Sequence, residues 1–389
     1  MRRLVSYLLL PALLLAAVFY LRARQVSAPT EPGLKVSQAL GGIPAAGFAR
    51  ALSPRAFHFP ADHGPHRQYQ TEWWYFTGNL ETAKGRRFGY QLTFFRMALA
   101  PGASARLSRW GADQVYMAHC AVTDVDGKRF IFAERFSRGA LGLAGAGGDP
   151  FAVWLEDWSA RQTSASPWSL KLVAAEGGAS LDLDLASLKP VVLNGAQGLS
   201  RKGRDPGNAS YYYSIPRLAT RGTLNLAGER FQVSGLSWLD REWSTSALAG
   251  DQAGWDWFAL QLGDGRDLMF YRLRKKDGSA DPFSGGTLTA ADGSSRRLSA
   301  AEVQLTVAEW WKSPASGTRY PSRWRLRVPG EGIDLEVVPR LSGQELLGSF
   351  RYWEGAVSVR GMGNPRLDGS GYLEMTGYEN KDGRQMPKN

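Results

Sequence analysis

"QTEWWYFTGNL", residues 70–80, sets Trp73, Trp74, Tyr75 and Phe76 side by side, directly after Glu72. Four consecutive rings cannot all enter one core. In an extended strand, successive side chains point to opposite faces. Glu72, Trp74 and Phe76 then share one face, and Trp73 and Tyr75 the other. A strand with rings on both faces reads as a barrel wall, with one set packed into a domain interface and the other lining a lumen. An apolar lumen that includes a carboxylate is a ligand pocket with an acid in it.

Working outward, the same texture recurs. "GRRFGYQLTFFR" (85–96), "YMAHCAVTDVDGKRFIFAERF" (116–136), "LDLDLASLKPVVLNG" (181–195) and "GTLNLAGERFQVSGLSWL" (222–239) are short β-branched and aromatic runs broken by Gly and Asp-Gly signals. "DVDGKR" between two such runs predicts a hairpin. Long helical periodicities are nearly absent, so the body reads as all-β, in antiparallel barrels or sandwiches. "WWYFTGNL" (73–80) is echoed by "WDWFALQL" (255–262). Each leads into a second aromatic strand ending in arginine, "FGYQLTFFR" (88–96) and "DLMFYRLR" (267–274). Two related β-domains follow, with a boundary near residue 236: residues 56–236 and 237–389.

The remainder is tether and address. The chain has 389 residues and a net charge of +11. "MRRLVSYLLLPALLLAAVFYLRAR" is a basic start followed by an apolar run from Leu4 to Leu21. Residues 1–28 therefore read as a signal peptide or signal anchor, placing the protein in the periplasm or cell envelope, with the inner membrane as a partner. Residues 29–55, rich in Pro, Gly and Ala, read as a linker. The basic residues of the body are scattered, which favours anionic surfaces and argues against nucleic acid. A single cysteine, Cys120, excludes an internal disulfide and a multi-cysteine metal site.

"YQTEWWYFTGNL", "GYQLTFFR", "YMAHCAVTD", "ASYYYSIPRLATRGTL" and "GLSWLDREWS…GWDWFALQL" together resemble the carotenoid 1,2-hydratase (hydroxyneurosporene synthase) family, in its secreted AttH-like branch. The resemblance runs from about Phe57 to Tyr378. It implies two lipocalin-like β-barrel domains. It also implies, for some members, addition of water to a terminal C=C of an acyclic carotenoid, and Asp240 of "WLDREW" as the proton donor. Other members have no assigned reaction, and some are encoded beside ABC-type transporter genes. A non-catalytic lipid-binding accessory role is therefore the alternative.

The residues support both readings. In "SWLDREWS", Trp238, Asp240 and Glu242 share a face; in "GWDWFAL", Trp255 and Trp257 oppose Asp256 and Phe258. A carboxyl in an apolar pocket stays protonated and can donate. Aromatic faces stabilise a carbocation by about 0.5–2 kcal/mol each. Asp240 with Trp238, Trp255, Trp257 and Tyr271 supplies these parts without a cofactor or metal. The plainer alternative pairs Asp240 or Glu242 with Arg241 or Arg272. Glu72, beside Trp74, either faces a lumen or satisfies Arg96 at a barrel end. His63 and His66 of "DHGPH" read as loop residues at a pocket mouth. His119 reads as a satisfied wall residue. Tyr211 and Tyr213 share a face that lines the first barrel or the interface. No G-x-S-x-G elbow is present.

Overall fold

The computed structural model describes residues 46–102, 108, 110–245 and 248–378. The expected signal peptide or anchor (residues 1–28, with the apolar run 4–21) and most of the expected linker 29–55 lie outside the described residues. Every described element longer than three residues is a β-strand; the rest are short bridging strands and single 3-10 turns. The first sheet holds β1 (Thr71–Glu81), β2 (Arg87–Ala98), β3 (Gln114–Asp124), β4 (Arg129–Arg138), β5 (Ala144–Gly148), β6 (Phe151–Leu155), β7 (Trp158–Ala165), β8 (Trp168–Glu176), β9 (Ala179–Ser187), β10 (Val192–Leu193), β11 (Leu199–Arg201), β12 (Ala209–Leu226) and β13 (Glu229–Ser244). The second holds β14 (Gln252–Leu262), β15 (Asp267–Lys275), β16 (Gly285–Thr289), β17 (Ser295–Ser299), β18 (Gln304–Lys312), β19 (Arg319–Val328), β20 (Ile333–Pro339), β21 (Glu345–Leu347), β22 (Arg351–Gly361) and β23 (Gly369–Met375). Both are antiparallel and curled, the first nearly to a barrel and the second to a half-barrel, in the manner of two lipocalin-like domains.

Local sequence explains the curl. In β9, Leu181, Leu183 and Leu185 are buried while Asp182 and Asp184 face solvent, the period-two pattern of a half-buried strand. The first sheet runs β4-β3-β2-β1-β13-β12-β9-β8-β7-β6-β5. It bends until Phe151 and Val153 of β6 join Leu92 and Phe94 of β2 in one core. The "DVDGKR" hairpin is present between β3 and β4, with Asp124 opposite Arg129 and the Asp124 carboxylate accepting from the Gly127 amide.

Residue 236 lies inside β13, which continues as a wall of the first sheet to Ser244. The second sheet begins with β14 at Gln252. Gly235, within β13, has a packing role. A Cβ at this position would meet the Asn79 carbonyl oxygen at 2.1 Å, so glycine serves close packing on β1.

The sheets meet outer face to outer face. Tyr75, Tyr212 and Trp238 of the first pack on Trp257, Met269, Tyr271, Ala356 and Tyr372 of the second. Polar ties cross the joint. Gln261 donates to the carbonyls of Pro216 (2.7 Å) and Ser237 (3.0 Å), and Asn79 to that of Gly371 (2.9 Å). Pro216 sits at a register shift in β12, where a missing N–H costs no ladder bond. Asp267 receives Lys189 and Arg217, each at 2.7 Å.

Candidate functional site

A cavity of about 140 Å³ lies in the joint between the sheets. Strand register aligns its wall in rows. On the first sheet, Asp240, Tyr75, Thr93 and His119 stand opposite one another on β13, β1, β2 and β3, and Ser214 of β12 continues the row beyond the cavity. One step along, Tyr212, Glu242, Trp73, Phe95 and Met117 form a second row. On the second sheet, Glu354, Glu374, Trp257 and Tyr271 form a third, across β22, β23, β14 and β15.

Asp240 is 3% exposed. Its Oδ1 accepts from the Ser214 hydroxyl (2.5 Å) and Trp238 Nε1 (2.7 Å), and its Oδ2 from the Tyr212 hydroxyl (2.7 Å). Tyr212 in turn accepts from Trp257 Nε1 at 3.1 Å, tying the acid to the second sheet. No arginine or lysine pairs with Asp240 among the described residues. Burial, with the Glu242 charge adding, pushes its carboxyl up to about 7 against the three donors.

Glu242 is paired differently. It accepts from the Ser210 hydroxyl and lies 3.3 Å from Lys202 Nζ. Lys202 rests over the Tyr271 ring at 4.0 Å. Although burial opposes its charge, Glu242 and the surrounding groups hold the ammonium above its usual range. Tyr271 bonds Ser200 Oγ at 3.0 Å. Trp255 donates from Nε1 to Glu374 (3.2 Å). Asp240, Glu242, Trp255, Trp257 and Tyr271 therefore converge on one cavity, with Trp238 directly behind Asp240.

Glu72, Trp74, His66 and Tyr211 sit on the other side of the first sheet, inside its barrel. Glu72 is fully buried between Arg96 and Arg241. Burial would raise its carboxyl, but the two guanidiniums hold it well below the usual range. This is the arginine-satisfying role, extended by a second arginine. Trp74 donates to the His63 carbonyl (2.8 Å). His66 stacks on Trp243 at 3.7 Å and bonds Asp62 at 2.9 Å. Tyr211 donates to the Ser53 carbonyl (2.8 Å). His63 meets Tyr213 at 2.7 Å. Arg272 pairs with Asp256. Neither "DREW" carboxylate pairs with Arg241 or Arg272. Among the described residues, no group of three or more His, Cys, Asp or Glu is arranged to hold a metal ion.

His119 lines the cavity, held by Glu134 (2.9 Å) and Tyr352 (2.6 Å). Sequence reasoning passed over Trp73, Tyr75, Tyr212, Lys202, Glu354 and Glu374 as site residues. Glu354 and Glu374 carried a signal. In "YWEGA" and "YLEMT" each is a lone carboxylate among apolar strand residues, the feature that drew attention to Glu72.

The AttH-like family model matches residues 50–378. The crystal structure of an AttH from Nitrosomonas europaea is 34% identical, covers 85% of this chain and 100% of its own, and superposes with a TM-score of 0.76. Kievitone hydratase from Nectria haematococca shares the fold at 15% identity, over 85% of this chain and 96% of its own, with a TM-score of 0.62. No curated protein matches the chain. Matched by the family model through nearly all of its described body, and by a relative over that relative's entire length, the chain belongs to the AttH-like family.

Proposed function

We propose that the cavity between the sheets is a cofactor-independent active site that adds water to a C=C bond of an apolar, isoprenoid-like ligand, with Asp240 as proton donor. The observation that carries this reading is a buried carboxyl held by three neutral donors and no cation, opening on an aromatic cavity. Burial raises the acid to about 7, so a large protonated fraction is present at neutral pH. Ser214, Trp238 and Tyr212 favour the carboxylate that forms as the proton leaves, so they act most strongly in the transition state. The proton goes to the less substituted alkene carbon. The C–H bond forms as the π bond breaks, leaving a cation on the more substituted carbon. The faces of Trp257 and Tyr75 stabilise that cation. Water adds to it, and the proton it releases returns to the Asp240 carboxylate, restoring the acid. The hydratase named among the structural relatives agrees with this chemistry.

The test incubates the protein with an acyclic polyene in heavy-oxygen water and looks by mass spectrometry for one added labelled water. Product that disappears in Asp240→Asn supports the reading. Polyene retained without product by both proteins would replace it with a carrier role.

A further inference from the structure

The second-sheet side of the cavity carries more carboxyl than its surroundings neutralise. Glu354 and Glu374 face each other directly across β22 and β23, a placement that penalises two like charges. Glu354 is 2% exposed; the hydroxyls of Tyr75 and Tyr352 stand against its carboxyl, and its Oε1 is left without a well-directed hydrogen bond among the described residues. Neutral hydroxyls do not balance a buried carboxylate's charge, so a cation beside it would be favoured. The titratable groups around the pair are Tyr75 on β1, His119 on β3, Tyr212 on β12, Asp240 and Glu242 on β13, Tyr352 beside Glu354 on β22 and Tyr372 beside Glu374 on β23. None is an ammonium or guanidinium. The one lysine lining the cavity, Lys202, is engaged by Glu242 and Tyr271.

The same cavity shows, on its first-sheet side, how it treats a positive nitrogen. Half-buried Lys202 sits between the Glu242 carboxylate and the Tyr271 face and is held in its charged form. Glu354 and Glu374 with Trp255, Trp257 and Tyr75 repeat that combination, carboxylates beside ring faces, with no cation supplied by the described residues. We propose that this half of the cavity is a subsite for a cationic nitrogen, and that its ligand is an apolar molecule ending in a protonated amine. The ammonium would complete the hydrogen bonding of Glu354, screen the Glu354–Glu374 repulsion and lie against the rings. The apolar remainder would follow Phe95, Met117 and Phe350 along the cavity. Burial raises both glutamates, with the Glu374 charge adding at Glu354 and the Glu242 and Asp240 charges adding at Glu374, so an arriving ammonium displaces a proton from the pair.

This inference concerns binding and does not rest on the hydration reading. It is tested with full-length protein and two probes of equal chain length, N,N-dimethyloctylamine and 1-octanol. Binding is followed by tryptophan fluorescence and by calorimetry in two buffers of different ionisation enthalpy. The amine is expected to bind at least tenfold more tightly than the alcohol and to release about one proton. In Glu354→Gln/Glu374→Gln the preference is expected to fall below twofold with no proton released, while octanol affinity holds and reports an intact cavity. Equal affinity of the two probes, no binding of either, or a preference that survives the double substitution would each overturn the proposal. None of these results alters the labelled-oxygen assay, which depends on Asp240.

Discussion

Glu72 and Asp240 are both buried, lie on neighbouring strands, and face opposite sides of one sheet. Glu72 meets Arg96 and Arg241; Asp240 meets only neutral donors. Their chemistry diverges accordingly. Glu72→Gln leaves two buried guanidiniums uncompensated and is expected to cost about 3–5 kcal/mol, read by urea denaturation. Asp240→Asn is expected to lower any hydration rate at least a hundredfold while the protein stays folded. Because the acid must be protonated to donate, kcat/KM should fall as pH rises through about 7. The stability effect runs the same way. A carboxyl whose folded value is raised binds its proton more tightly in the folded state, so its contribution is complete at low pH and is lost as pH rises to about 7. The Tm of Asp240→Asn minus that of wild type should therefore increase from about pH 4 to pH 7 and level off above it.

At the scale of the strand, alternation was legible and its meaning was not. The sequence separates Trp73 and Tyr75 from Trp74 and Phe76, and Trp238, Asp240 and Glu242 from Arg241 and Trp243, and the structure keeps both partitions. It does not say which set faces a barrel interior, because both faces carry rings. That choice is made by β5 and β6, which close the first sheet over Trp74 and Phe76. Alternation also drew Tyr211 and Tyr213 together and so passed over Tyr212, which holds Asp240. Close packing of strands supplies a further test. Gly89 of β2 lies where a Cβ would come within 2.6 Å of the Ala356 Cβ on β22. Gly89→Val should push the sheets apart, costing about 1–3 kcal/mol by denaturation and loosening the cavity.

For the whole molecule, the joint is as built as either core. Lys189 and Arg217 of the first half converge on the buried Asp267 of the second. Tyr212 and Trp257 bond across the joint beside the acid. Wild type should unfold in one calorimetric transition. Asp267→Ala, which strands two cations, should lower stability by about 3–5 kcal/mol and split or broaden that transition.

The cavity wall also has a history within each synthesis of the chain. Residues 71–244 leave the ribosome before β14 exists. Until the second sheet arrives, Tyr75, Tyr212 and Trp238 form a bare sticky face on an otherwise finished barrel. The nascent first half is thus a natural client for a holding chaperone, and a message truncated after Ser244 would yield a folded but adhesive product.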